Sequence, residues 1–256
     1  MSTTRLTELV PGVWVATARE YDTISTVLLD GVGGAVVIDP AWHPDELAAI
    51  PADLAELAVI CVAGVATHEH YDHVLWHAAL GQVPRWTSRT TAGTVAAHRA
   101  EVIAPAAQFL TPDLLDLAGR LDPLADALLP WRGTPVSVVT HDAHAPGHLA
   151  LLHEEAGVLI AGDMLSDVEL PMPADDDVTL EVYLAGLAAL RESVGRARWL
   201  IPGHGTPTAE PMRRYDADMR YLTALLAHER VDDPRLANPG MADLHAANVR
   251  RASAEQ

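Results

Sequence analysis

Between Thr67 and Val74 the chain reads THEHYDHV, which places His68, His70, Asp72 and His73 within one short turn directly after an apolar run. Three imidazoles and a carboxylate crowded together would repel one another when protonated, and they have little reason to converge unless a cation holds them. Imidazole nitrogen and carboxylate oxygen are the donors that a borderline divalent ion such as zinc accepts. One turn does not complete a site, and three later segments offer further ligands, each after a predicted strand: THDAHAPGH with His141, His144 and His148, AGDML with Asp163, and IPGHG with His204. Strand ends along one sheet edge are where layered α/β proteins assemble their sites.

Other chemistries are excluded by composition. All 17 basic residues are arginine, so Schiff-base lysines, a P-loop lysine and a kinase lysine are absent. The single Cys61 forbids an intrachain disulfide and lies in an apolar run, where it reads as a packing residue; no G-x-S-x-G elbow occurs. A net charge of −18 opposes sequence-independent binding to nucleic acid or anionic membranes, which requires cations against phosphate. No apolar stretch is long enough to span a bilayer, and the N-terminus lacks the pattern of a secretion signal, so a cytoplasmic location is expected. The expected partner is a small-molecule substrate, with a homodimer as a possible assembly.

The elements that must position these residues alternate between strand and helix over 256 residues, with no repeat and no linker long enough to split the chain. A β-meander is expected over Gly12–Thr17, Ile24–Leu29 and Ala35–Ile38, then a helix over Pro44–Leu57 and a strand over Ala58–Val62. Residues 90–130 read as three or four short helices broken by Pro105, Pro112 and Pro123, forming a lid or an oligomer contact. Strands follow at Val136–Thr140, His148–Leu152, Val158–Ala161 and Trp199–Ile201, with helices over Thr179–Ser193 and Thr208–Arg230. C-terminal helices are expected over about 208–250, with the final twenty or so residues forming a short tail helix or fraying.

Taken together, His68-x-His70-x-Asp72-His73, a loop histidine, Gly162-Asp163 and Pro202-Gly203-His204 resemble the metallo-β-lactamase superfamily. The resemblance covers about Val10 to His204. It implies an α/β fold of the four-layered αβ/βα sandwich type, two mixed sheets flanked by helices, as one domain over 1–256. It also implies a dinuclear site: His68, His70 and the loop histidine on one divalent ion, Asp72, His73 and His204 on the other, and Asp163 between them. Zinc is the first candidate, with iron or manganese as alternatives. Asp39, ending the run VVIDP, matches a carboxylate that braces the ligands in that superfamily. For the loop histidine, His144-Ala145-Pro146-Gly147-His148 matches the superfamily's longer pattern with the ligand at its front. His144 lies 19 residues before Asp163 and His148 only 15, and that span must hold a complete hairpin. His144 is therefore favoured, with His148 left beside the site.

Two ions sharing a water would lower its pKa and stabilise an oxyanion, with Asp72 and Asp163 as the catalytic carboxylates that orient the water and carry its proton. The expected activity is hydrolysis of a small-molecule ester, lactone or thioester, as in the lactonase and glyoxalase II-like branch. The alternative is a mononuclear Fe(II) oxidoreductase of the sulfur dioxygenase kind, and behind it a non-catalytic metal-binding protein. Segment SDVELPMPADDD, acidic around Leu170 and Met172, would repel a polyanion if it lines the cleft, although Arg213, Arg214 and Arg220 could serve an anionic thioester. Trp42, His43 and Met172 are expected beside the substrate.

Overall fold

The computed structural model describes residues 5–173 and 178–254. Seven strands form one sheet in chain order: β1 (Thr7–Val10), β2 (Val13–Thr17), β3 (Ile24–Leu29), β4 (Gly34–Ile38), β5 (Ile60–Val65), β6 (Arg85–Thr87) and β7 (Asp122–Pro123). Its first four strands are an antiparallel meander, and from β4 onward the pairings are parallel. A second sheet runs β11-β10-β9-β8, from β8 (Val136–His141), β9 (His148–His153), β10 (Val158–Ile160) and β11 (Trp199–Ile201), with only β10 and β11 parallel.

Period-two alternation explains how the layers close. In β4, Val36 and Ile38 point inward to meet Val138, Leu149, Leu151 and Ile160 of the second sheet. Ala35 and Val37 of the same strand face outward, onto Ile50 and Leu54 of α1 (Pro44–Glu56). Behind the second sheet, Leu152 and Leu159 pack against Tyr183, Leu187 and Leu190 of α4 (Leu180–Arg196) and Leu222 of α5 (Pro211–Leu226). The order helix, sheet, sheet, helix is the αβ/βα sandwich. Among the described residues, no helix is long and apolar enough to cross a membrane.

Several boundaries differ from expectation, each for a local reason. The strand expected at Ala58–Val62 runs instead over Ile60–Val65. Ala58 takes a left-handed turn (φ 55°), and the Val59 N–H is used by the Leu54 carbonyl to close α1. Gly64 belongs to that strand because the Trp76 ring lies where its Cβ would be. The helical region continues as α2 (Arg89–Ile103), a 3-10 turn at Ala104–Gln108 and α3 (Pro112–Leu117), but it stops there rather than reaching residue 130. Gly119 turns the chain (φ 67°), and Asp122–Pro123 becomes the edge strand β7, where a proline lacking an N–H is tolerated. Leu124 and Leu129 then enter the core between the sheets, while Leu128 stays 54% exposed. Residues 125–127 are bends and Leu128 bridges to Ser137 of β8, so the expected helix there is wrong. At the C-terminus, Thr208 bridges to Leu200, which delays α5 to Pro211. Of the two expected forms of the tail, the helix is the one found: α6 (Met241–Ala254) runs 14 residues, held by Asn248, whose amide donates to the Pro171 carbonyl.

Candidate metal centre

The centre lies where four connections leave the carboxyl ends of strands. The turn after β5 carries His68 to His73, the loop after β8 carries His144, the turn after β10 carries Asp163, and the turn after β11 carries His204. Two groups of donor atoms result: His68, His70, His144 and Asp163 in one, and Asp72, His73 and His204 in the other.

The Asp163 carboxylate lies between them. Its Oδ2 is 3.4 Å from His68 Nε2, 3.5 Å from His144 Nε2 and 3.2 Å from His204 Nε2, while its Oδ1 is 3.0 Å from His73 Nε2. Asp72 Oδ2 completes the second group at 3.4 Å from His204 Nε2 and 3.5 Å from His73 Nε2. Gly203 is what allows this approach, because any Cβ there would overlap the Asp163 carboxylate.

Outward hydrogen bonds fix which ring nitrogen faces in. His73 Nδ1 donates to Asp39 Oδ2 at 2.9 Å, His144 Nδ1 to the Met172 carbonyl at 2.7 Å, and His204 Nδ1 to the Tyr21 carbonyl at 2.9 Å. Thr67 Oγ1, which donates to Asp39 Oδ2 at 2.7 Å, is 3.0 Å from His68 Nδ1 and accepts its proton. Each of these four rings therefore turns its Nε2 inward. His70 is reversed, its Nδ1 lying 3.0 Å from His144 Nε2. In the second group, His73 Nε2 and His204 Nε2 face each other at 3.4 Å. Lone pairs do not converge like this on nothing: His68 Nε2 and Asp163 Oδ1 are buried without a hydrogen-bond partner. Such a nitrogen and oxygen donor set fits divalent ions of the zinc class.

Electrostatics divide the two groups. Burial drives His68, His70 and His144 down, the last to about 3, so these rings present neutral lone pairs. Burial would lower His73 and His204 as well, but Asp163 and Asp72 outweigh it, pushing His204 up to about 10. The carboxylates around the second group thus call for positive charge. Asp163 itself is held well below the usual carboxylate range despite burial, by His204, His73 and His68.

A model of the metallo-beta-lactamase superfamily matches residues 20–223, four-fifths of the chain. The chain belongs to this superfamily. Superfamily structures share its fold at low identity. A metallo-beta-lactamase from Pontibacter korlensis aligns over 84% of this chain and 97% of its own, at 18% identity and a TM-score of 0.64. A metallo-beta-lactamase family protein from Thermus thermophilus aligns over 97% and 95%, at 20% identity and 0.65. A stereoselective inverting sec-alkylsulfatase from Pseudomonas sp. aligns over 88% of this chain but 42% of its own, at 16% identity and 0.66. No curated protein matches the chain.

Within this superfamily site, the flanking residues fall in different places. Asp39 braces His73 and also accepts from the Thr67 N–H at 2.8 Å. His148 stays outside both groups: it begins β9, stacks on His68 with ring centroids 4.9 Å apart, and accepts from the Asp163 N–H at 3.2 Å. Met172 meets the site with its carbonyl rather than its side chain. Trp42 is fully buried beneath Tyr71 and Phe109, and His43 starts α1 and pairs with Glu20, so neither reaches the donor atoms. His141 stacks on His148 at 4.7 Å.

Sequence reasoning misses Thr67, the Tyr21 carbonyl and Glu169. A carbonyl has no signature in sequence, and Thr67 opens the ligand motif without its type announcing a role. Glu169 lies in the acidic segment expected at the cleft, and its carboxyl is pushed up to about 7 by burial, with Asp163 and Asp72 adding and His204 opposing. Glu169 thus feels the charges of the second group, while Met172 of the same segment meets His144 of the first; its last four residues, 174–177, lie outside the described residues.

Proposed function

We propose that this chain is a metal-dependent hydrolase that cleaves an ester, lactone or thioester bond in a small molecule at a two-ion centre, with zinc the first candidate and the cytoplasm its place of action. The observation that carries this reading is the Asp163 carboxylate within 3.5 Å of nitrogens from both donor groups. A closed structural site has no use for a carboxylate shared between two groups, and a mononuclear iron centre has no use for the second group of Asp72, His73 and His204.

Bound divalent ions would supply an acidified water and a Lewis-acid contact to the substrate oxygen. The remaining work belongs to the chain. His68, His70 and His144 would hold one ion, and Asp72, His73 and His204 the other. Asp163 and Asp72, both nearly buried, would orient the attacking water and pass its proton on. Tyr71, packed edge-on against Trp42, carries an aromatic ring out of the ligand turn toward Phe109, and this apolar wall suits a hydrocarbon acyl group. Glu169 on the opposite segment disfavours a polyanionic substrate.

Elemental analysis of protein purified without added metal tests the centre, with His204→Ala alongside. Two ions per chain, falling toward one in the variant, are expected; one iron per chain, unchanged in the variant, would overturn the reading. Activity would then be sought on lactones, carboxylic esters and thioesters, with alkyl sulfates as a further arm because one structural neighbour is an alkylsulfatase.

A further inference from the structure

A second concave site lies behind the metal centre. A cavity of about 530 Å³ opens between α5 and the segment 231–235, within the roughly 300–1,000 Å³ usual for small-molecule sites. None of the seven donor residues lines it. Its shared wall with the centre is Ser166-Asp167: the Ser166 hydroxyl donates to the His204 carbonyl at 2.9 Å.

Four arginines line this cavity, Arg213, Arg214, Arg220 and Arg235, in a chain whose net charge is −18. Most of the acids beside them are already engaged. Asp233 accepts from Arg235 at 2.8 Å, Asp167 pairs with Arg214 at 2.9 Å and with Thr206, and Glu210 pairs with Arg213 at 3.1 Å. The last of these pairs is solvent-exposed on both sides and holds weakly. Arg220 makes no hydrogen bond or ion pair among the described residues. It stands two helical turns beyond Arg213 on the same face of α5, with Ala217 between them and Ala224 one turn further on. Small side chains between two guanidinium groups leave room for a ligand body, and Val231 and Pro234 close the opposite side with apolar surface.

We propose that this cavity is a binding site for a small amphipathic carboxylate, its anionic head on Arg220 and Arg213 and its apolar body along Ala217, Ala224 and Val231. Guanidinium groups pair with carboxylates in two-pronged geometry, which gives the head its specificity. Asp232 lines the same cavity without an arginine partner among the described residues and opposes the ligand's charge.

Calorimetric titration of the full-length protein, as purified, with octanoate tests the proposal. The expected result is saturable binding at one site per chain, at least about tenfold tighter than for neutral octanamide. Arg213→Ala with Arg220→Ala should weaken octanoate by about tenfold or more, and Asp232→Asn should tighten it. All three residues are exposed, and an unchanged melting temperature checks that the variants fold. Absence of saturable binding, equal affinity for octanamide, or octanoate affinity unmoved by the arginine substitutions would each overturn it. The last result would place the ligand at the metal centre instead.

Discussion

Replacing Asp39 by Asn changes one atom's chemistry and should disable the second donor group. Asp39 accepts three hydrogen bonds, from the Thr67 N–H at 2.8 Å, the Thr67 hydroxyl at 2.7 Å and His73 Nδ1 at 2.9 Å. An asparagine oxygen can keep the first. Its amide nitrogen is a donor, and it would face the Nδ1–H of His73 and the hydroxyl of Thr67. The Thr67 hydroxyl can rotate away, but the His73 ring is pinned by burial. Its remaining escape is to move the proton to Nε2, and that atom lies 3.0 Å from Asp163 Oδ1, where it would donate inward instead of offering a lone pair. Loss of such a bracing carboxylate typically costs about 10–100-fold in metal affinity, or about 1.4–2.7 kcal/mol. Chelator-competition titration would measure both dissociation constants of the proposed two-ion centre. The weaker should rise by that factor in Asp39→Asn, while the ion on His68, His70 and His144 is affected less, because it feels Asp39 only through Thr67. Two constants both within about threefold of wild type would refute the tautomer argument.

Three further outcomes are expected. Gly203→Ala would drive a methyl group into the Asp163 carboxylate and against the backbone of Gly162 and Asp163, so metal stoichiometry should fall; full loading of the variant would contradict the close approach. Burial lowers His141 from 6.5 to about 4 in the folded protein, so below pH 6.5 the unfolded chain binds the extra proton and stability falls with pH until about 4. That interval corresponds to about 3 kcal/mol, and denaturant titrations across it should show a shallower pH slope in His141→Gln than in wild type. Cys61, pushed up to about 12 by burial, should react with a thiol reagent at neutral pH far more slowly in the native protein than in denaturant, and equal rates would show the strand to be open.

Much of this protein is readable from its chain because the relevant signals are local. The ligand turn follows an apolar strand, so motif and scaffold come together, and β3 and β11 occupy Ile24–Leu29 and Trp199–Ile201 as their alternation and flanking turns indicate. The four-layer arrangement follows from strands that are apolar on both faces, such as Gly34–Ile38. His144 rather than His148 faces the other donors, and spacing already favours it, because a hairpin needs the intervening residues.

What the chain alone leaves undecided depends on contacts remote in sequence. Leu121 to Leu129 carries leucines at spacings compatible with a helix, and only the groove between two sheets determines that Leu124 and Leu129 enter it from a bent, non-helical backbone. The orientations of two of the donor histidines rest on the carbonyls of Tyr21 and Met172, 183 and 28 residues away in sequence from the rings they hold. The cavity beside Arg220 exists because residues 231–235 fold back along α5. Side-chain type and local spacing tell which atoms can bind a metal. Long-range packing decides which of those atoms meet, which nitrogen of each donor ring faces inward, and where an arginine is left without a hydrogen bond among the described residues, because burial and hydrogen bonding are properties of neighbours that the chain brings together only on folding.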